Sequence, residues 1–345
     1  MSTASIETLK DVASVEVSPD RLPSATHEEI LNGLTTDIYF IRTRDLLDHM
    51  GLLNTPVVAE VFARRSGIFA GAEETARLLR GKNVRIDAVP EGTPFKPKDT
   101  LMRLTGPYGA FGMYETTLLG MLASSTSWAT AARECVEAAD GKPVLCFGAR
   151  HVHPAVAPVM ERIAVKVGGC AGASCILGAK LLGQNPSGTI PHAAILMAGD
   201  TLKLAKVYDE ITPAGETRVV LVDTFKDESE EALRVAQALG AHLGAIRLDT
   251  PSERGGVTPE LICEVRYRLD MAGFKHVKIV ATGGLTPERI RVLSGAGADT
   301  FGVGSYICHG AQIDMTLDLK EVDGKPVAKR GRLPGPLDNP LLVRV

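Results

Sequence analysis

None of the six cysteines, Cys135, Cys146, Cys170, Cys175, Cys263 and Cys308, stands in a C-x-x-C spacing. That removes support for a structural zinc site and leaves buried free thiols in a reducing cytoplasm as their reading. A long apolar run is also missing, since the longest, Ala193 to Gly199, is far too short to cross a bilayer. The stretch Met1 to Asp20 is polar, with Glu7, Asp11, Glu16 and Asp20, and has no apolar core behind a basic start. Neither secretion nor membrane insertion is therefore expected, and the expected location is cytoplasmic. No basic run is sustained and the formal net charge is −3, so nothing marks nucleic acid or an anionic membrane as partner. No G-x-G-x-x-G, repeat or low-complexity segment occurs, so a nicotinamide cofactor is not implied. A small-molecule partner is what these absences leave.

What is present is enough for a large core: 345 residues with 45% hydrophobic content allow a barrel and a second domain. From about Pro143 the chain alternates strand-like and helix-like runs. Pro143 to Phe147, Arg218 to Val222, Ala245 to Leu248, Val277 to Val280 and Thr300 to Val303 read as buried parallel strands. Between them, Ala232, Leu233, Ala236 and Leu239 recur at helical spacing, as do Leu261, Ile262, Val265 and Leu269. Thr258-Pro259-Glu260 and Thr286-Pro287-Glu288 have the order of helix starts, and Gly240 and Gly273 act as stops. This βα repeat predicts an α/β fold, an irregular TIM-like barrel over residues 141–312. The first 140 residues predict a β-rich open-sandwich α+β domain with strands at Pro56 to Arg64 and Val84 to Val89, and helices at Tyr114 to Ser124 and Trp128 to Ala139. A hairpin within residues 313–345, turning at Asp323-Gly324, is expected to rejoin that domain and make it discontinuous.

Two glycine-bearing turns lie close together near the end of the chain. Ala281-Thr282-Gly283-Gly284-Leu285 follows Val277-Lys278-Ile279-Val280, and Gly302-Val303-Gly304-Ser305 follows Thr300-Phe301. They are either tight βα loops without a ligand or the phosphate grip of the last two barrel strands, with the amides of Gly283, Gly284, Gly304 and Ser305 turned to the anion. Two such loops at successive strands favour the phosphate.

Several side chains fall at strand ends. His192, in Ser187-Gly188-Thr189-Ile190-Pro191-His192, is either a base or phosphoryl-accepting nucleophile at the barrel mouth, or a histidine hydrogen-bonded at a strand end. Arg150 closes Cys146-Phe147-Gly148-Ala149-Arg150, beside His151 and His153, and either grips a carboxylate or phosphate or is an ordinary surface arginine. Arg247 and Asp249 flank Leu248 and so share one face. Inside a barrel they pair with each other; at the mouth Arg247 meets an anion while Asp249 holds a hydroxyl or metal. Asp223, ending Val219 to Val222, is a second acid at a strand terminus. The two acids suggest ribose hydroxyls or Mg²⁺ as partners, without spacing specific enough to name a metal ligand.

As a set these residues resemble the nicotinate phosphoribosyltransferase family, among the type II phosphoribosyltransferases and nearest its shorter archaeal-like branch. The resemblance covers most of the chain. It runs through Leu34-Thr35-Thr36-Asp37-Ile38-Tyr39, Arg64-Arg65, Glu115-Thr116, Phe147-Gly148-Ala149-Arg150, Gly188-Thr189-Ile190-Pro191-His192, Val222-Asp223-Thr224-Phe225, Ile246-Arg247-Leu248-Asp249-Thr250 and the two glycine turns. It implies a dimer or higher homo-oligomer with composite sites. The implied reaction takes nicotinate and 5-phosphoribosyl 1-diphosphate, with Mg²⁺, to nicotinate mononucleotide and pyrophosphate. ATP hydrolysis would be coupled through a phosphohistidine at His192. Phe147 and the partner subunit's Tyr39 would sandwich the pyridine ring; Arg150 and Arg247 would meet its negative charge. Asp223 and Asp249 would hold ribose hydroxyls, and Arg64 and Arg65 from the neighbouring subunit would take the pyrophosphate.

Two rivals differ in chemistry. Quinolinate phosphoribosyltransferase shares the architecture, removes a carboxylate and does not use ATP; its second carboxylate would call for more Arg and Lys around the ring. A barrel-shaped binding protein that keeps the phosphate site without turnover would not need Asp223, Asp249 and His192.

Overall fold

The short Val, Ile and Leu runs form strands at Val144–Cys146, Arg218–Leu221, Leu243–Leu248, Lys278–Ala281 and Thr300–Val303 in the computed structural model, which describes residues 5–345. With the two-residue strand Gly172–Ala173 they make one parallel sheet. Its order is Gly172–Ala173, Val144–Cys146, Thr300–Val303, Lys278–Ala281, Leu243–Leu248, Arg218–Leu221. Apolar residues are buried along it, from Val144 and Cys146 to Ile246, Leu248, Ile279 and Phe301. Helices cover the sheet as the helical spacing requires. Glu228–Leu239 buries Ala232, Val235, Ala236 and Leu239, and Pro259–Met271 buries Ile262, Val265 and Leu269. Each fully buried Val, Ile or Leu side chain contributes roughly 1.5–3 kcal/mol. Thr258 and Thr286 accept from the amides of Leu261 and Arg289, capping their helices for about 1 kcal/mol each.

The two outer strands, Gly172–Ala173 and Arg218–Leu221, do not pair with each other, so the parallel sheet is a half-barrel, the form that the expected irregular α/β barrel takes here. The cause lies between them. Residues 174–217 form the helices Ile176–Lys180, His192–Ala198 and Thr201–Ile211 and contribute no strand to close the gap.

The chain divides into two units, one of residues up to Thr130 with Ala311–Val345, the other Ala131–Gly310. Of the expected first segment, residues 1–4 lie outside the described residues. The first unit holds a sheet ordered Lys325–Pro326, Met315–Val322, Pro56–Ala63, Met102–Pro107, Arg85–Ala88, Val343–Arg344. Met315–Val322 runs antiparallel to Pro56–Ala63, so the chain's last segment completes the sheet begun near its start. Phe69, Leu101, Leu104, Phe111 and Leu118 fill the core of this unit. A buried carboxylate, Glu60, accepts from Arg103, Thr100 and the amide of Leu337, so its charge is paired.

The two helices expected from Tyr114 to Ala139 are one, Glu115–Ala138. The Ser124-Ser125-Thr126-Ser127 run does not break it: the Thr126 hydroxyl bonds outward to the backbone of Ala70 at 3.2 Å, and the Ser127 hydroxyl turns back on its own helix. Ser127 donates to the carbonyl of Ala123 at 2.8 Å, and Thr130 to that of Thr126 at 2.7 Å. Among the described residues no helix is long and apolar enough to cross a membrane. All six cysteines are free, with Cys263 exposed and Cys175 half-buried.

Candidate active site

The C-terminal ends of Arg218–Leu221, Leu243–Leu248 and Lys278–Ala281 bring two acids, a guanidinium and an imidazole together. Arg247 donates through Nε to Thr282 Oγ1 at 2.9 Å, through Nη1 to Thr189 Oγ1 at 2.8 Å and through Nη2 to Asp249 Oδ2 at 2.7 Å. Both readings of the Arg247–Asp249 pair thus meet here, for the two residues are paired and also stand at the strand end. Thr282 Oγ1 lies 2.7 Å from Asp249 Oδ1, which fixes the carboxylate from its other side. The amide of Asp249 donates to Asp223 Oδ2 at 2.8 Å.

His192 begins the helix His192–Ala198. Its Nδ1 is 3.1 Å from Thr224 Oγ1, and its Nε2 is 3.8 Å from both Asp223 Oδ1 and Asp249 Oδ2. Asp223 Oδ1 is buried and has no hydrogen-bond partner. Burial raises the Asp223 carboxyl above its ordinary value, opposed by the Asp249 amide and the imidazole. An acceptor oxygen with no donor, beside an imidazole and a second carboxylate, is suited to receive a ligand hydroxyl.

The glycine turns divide in role. Gly283 and Gly284 have φ of +94° and +59°, a region that favours glycine. A Cβ at Gly283 would stand 3.3 Å from Asp249 Oδ1, whereas Gly284 faces open space. Gly302 is buried inside its strand, and a Cβ there would stand 2.6 Å from both Phe147 Cε2 and Thr282 Cγ2. That glycine makes room for the Phe147 ring beside the Arg247–Thr282 network. Gly304 abuts the Phe147 carbonyl and His151 Nε2, at 2.6 and 2.7 Å from a built Cβ, and Ser305 opens the one-turn helix Ser305–Cys308. Gly304 is thus closely packed, while Gly284 faces open space.

Arg150 is exposed at the end of the Phe147 loop and makes no hydrogen bond or ion pair among the described residues. His151 and His309 meet edge to face with centroids 6.2 Å apart. Burial, and then Arg150 and His309, lower the His151 pKa. Thr189, Thr224, Thr282 and Glu161 all bond within the loops of this end, and sequence reasoning gave none of them a role. Glu161 left a trace: it sits at the fourth position after Ala157 on the helix Ala157–Lys166, where Ala157, Met160 and Ala164 mark a buried stripe. A carboxylate on such a stripe needs donors.

Tyr39, Arg64 and Arg65 belong to the first unit. Tyr39 is 53% exposed, with its ring 4.1 Å from that of Phe40. Arg64 is exposed, and Arg65 donates to the carbonyl of Gln312 at 3.2 Å. Among the described residues no group of three or more His, Cys, Asp or Glu could hold a metal ion.

Residues 37–126 match the family model for the quinolinate phosphoribosyl transferase N-terminal domain, and residues 128–318 match that for the C-terminal domain. The crystal structure of a nicotinate-nucleotide pyrophosphorylase from Pyrococcus furiosus superposes with a TM-score of 0.87 at 44% identity, covering 92% of this chain and 82% of that one. A nicotinate phosphoribosyltransferase of Mycobacterium tuberculosis is 30% identical over 340 residues, 86% of this chain and 74% of that protein. An Archaeoglobus fulgidus protein described as a probable carboxylating nicotinate-nucleotide pyrophosphorylase is 26% identical over 266 residues, 76% of this chain and 93% of that protein.

The family matches and the Pyrococcus structure correct the expected nicotinate phosphoribosyltransferase family. ATP as a coupled substrate, a ligase-type reaction and phosphorylation of His192 are withdrawn with it. The shared motifs misled because they line strand ends that handle charge and hydroxyls and do not report which pyridine is taken. The geometry at His192 agrees with the correction, since two carboxylates 3.8 Å from Nε2 would repel a phosphoryl group there. The chain belongs to the quinolinate phosphoribosyl transferase family.

Proposed function

We propose that this protein transfers the phosphoribosyl group of 5-phosphoribosyl 1-diphosphate to quinolinate, releasing pyrophosphate and CO₂ and giving nicotinate mononucleotide. The observation that carries the reading is the pair of family matches over 37–126 and 128–318. The pyrophosphorylase named in the Pyrococcus structure supports it at 44% identity.

The geometry supports the following roles. Asp223 Oδ1, buried and lacking a donor, accepts a ribose hydroxyl, and Asp249, fixed by Arg247 and Thr282, holds its neighbour. The open Gly283-Gly284 turn presents amides to the 5-phosphate. The Phe147 ring gives the pyridine a face, and the unpaired Arg150 takes a carboxylate. Pyrophosphate departure leaves positive charge at the ribose carbon, which Asp223 and Asp249 stabilise while the ring nitrogen is held in line. When the ring carboxylate leaves as CO₂, its bonding electron pair stays on the ring carbon, which takes up a proton. Tyr39 and Arg64, exposed on the first unit, are assigned to a site completed by a second copy of the chain.

The test is to incubate the protein with 5-phosphoribosyl 1-diphosphate, Mg²⁺ and quinolinate, nicotinate or nicotinamide, with and without ATP. Mononucleotide and CO₂ from quinolinate, at a rate ATP does not change, is the expected result. Turnover of nicotinate with none of quinolinate, or no turnover of any pyridine, would overturn it.

A further inference from the structure

We propose that Glu161 is a positioning residue for this site, a buried clamp that holds the Phe147 loop and the Ser174 loop in fixed relation. The inference rests on the reading of Phe147 as the pyridine's platform. Glu161 is 0% exposed. Its Oε1 accepts from the amides of Gly148 and Ala149, each at 2.9 Å, and from Ser174 Oγ at 2.8 Å; its Oε2 accepts from the amide of Cys175 at 2.6 Å. The first two donors follow the strand Val144–Cys146 and the other two follow Gly172–Ala173, which is its neighbour in the sheet. The last main-chain bond between the two segments is that from the Ser174 amide to the Cys146 carbonyl at 3.1 Å, and beyond it one carboxylate ties the two loops together.

The energetics point to orientation rather than bulk stability. A carboxylate taken out of water is costly unless donors surround it, and these four are uncharged. Met160 and Ala164, beside it on the same helix, show that an apolar side chain suits this layer of the core. What the acid adds is geometry. Charge-assisted hydrogen bonds are short and directional, so moving either loop exposes a buried charge to lost donors. The clamped amides of Gly148 and Ala149 lie between Phe147, whose ring rests against Gly302, and Arg150. Cys308 Sγ donates to the carbonyl of Gly148 at 3.3 Å, steadying the same turn from the far side.

Glu161→Gln keeps size but turns one acceptor into a donor facing donors, opposing the Gly148 and Ala149 amides at the Oε1 position or the Cys175 amide at the Oε2 position, and in either case loosens the clamp. The expected result is a rise of about tenfold in KM for the pyridine substrate, with KM for 5-phosphoribosyl 1-diphosphate changed by less than about twofold. Ser174→Ala removes a single donor and should shift the pyridine KM in the same direction by a smaller factor, so the proposal stays testable if the glutamine variant does not fold. Equal changes in both KM values, loss of kcat only in step with loss of folded protein, or an unmoved pyridine KM in both variants would overturn it. The split is read with whichever pyridine the wild-type protein turns over, so failure of the quinolinate assignment is seen separately in the wild type.

Discussion

Asp249 donates its backbone amide to Oδ2 of Asp223 at 2.8 Å, while Oδ1 of that carboxylate stays buried and unpartnered. Two acids on neighbouring strand ends are thus linked through main chain, and the one charge left over faces the ligand side. This is a site in which stability has been given up for binding.

Asp223→Asn measures that exchange. Burial raises the Asp223 pKa above 3.8, so ionising it costs the folded state stability. The cost is absent at pH values below the unfolded-state pKa, grows as pH rises through the folded-state value, and is complete above it. The asparagine variant should therefore unfold at a higher temperature than wild type at pH 7 and show no gain at pH 3. Its kcat/KM should fall by about 100-fold or more, as for removal of a group that stabilises developing charge. Thermal unfolding at the two pH values, with steady-state kinetics, checks both signs.

Gly302 and Gly284 make a matched pair of substitutions. Gly302→Ala drives a methyl to 2.6 Å from Phe147 and Thr282. It should cost about 1–3 kcal/mol of stability through overpacking and raise the KM for the pyridine. Gly284→Ala meets no atom within 4 Å but holds φ at +59°, so only the left-handed backbone is penalised, by about 1 kcal/mol. Its kinetic effect should fall on 5-phosphoribosyl 1-diphosphate instead. Denaturant titrations and the two KM values separate the cases.

Glu115 carries a pH dependence in the first unit. Burial, and then Asp318, pushes its carboxyl up from 4.5 to about 7. A raised acid opposes folding once it ionises, so this contribution to stability is lost as pH rises from the unfolded value through about 7. Glu115→Gln should flatten the fall in unfolding temperature across that interval. An unchanged slope in the variant would show that other groups set it.

Strand positions and helix starts were legible because short Val- and Ile-rich runs and Thr-Pro-Glu triplets are local signals. Thr258 and Thr286 cap their helices as such signals imply. Asp223, Arg247 and Asp249 were legible as strand-end residues, though not the threonines that bind them, whereas His192, expected at a strand end, opens the helix His192–Ala198. A hydroxyl finds its partner only after the chain has folded. Glu161 was hidden for the same reason, its donors being main-chain amides distant in sequence. The Ser124 to Ser127 run misled because polar residues break helices only when their side chains compete for the backbone from outside the helical geometry. The irregularity of the expected barrel lies in residues 174–217, which form short helices and no strand. The pyridine was misread because its recognition is spread over few side chains, and the motifs report the phosphoribosyl half.

The unclosed edge of the parallel sheet has a bearing on how this protein can vary. Asp223 and Asp249 follow directly on paired strands, whereas His192 opens a helix outside the sheet, moored by Thr224 and the buried Ile195, and the stretch before it is held by Ser187 N–H on the Ala173 carbonyl and by Arg247 on Thr189, each at 2.8 Å. Changes in length or composition around residues 184–191 therefore reach the imidazole and, through Thr189 and Arg247, the hold on Asp249 as well. Divergence in that stretch would move the imidazole and the clamp on the acid together, above a sheet whose ladder it does not touch.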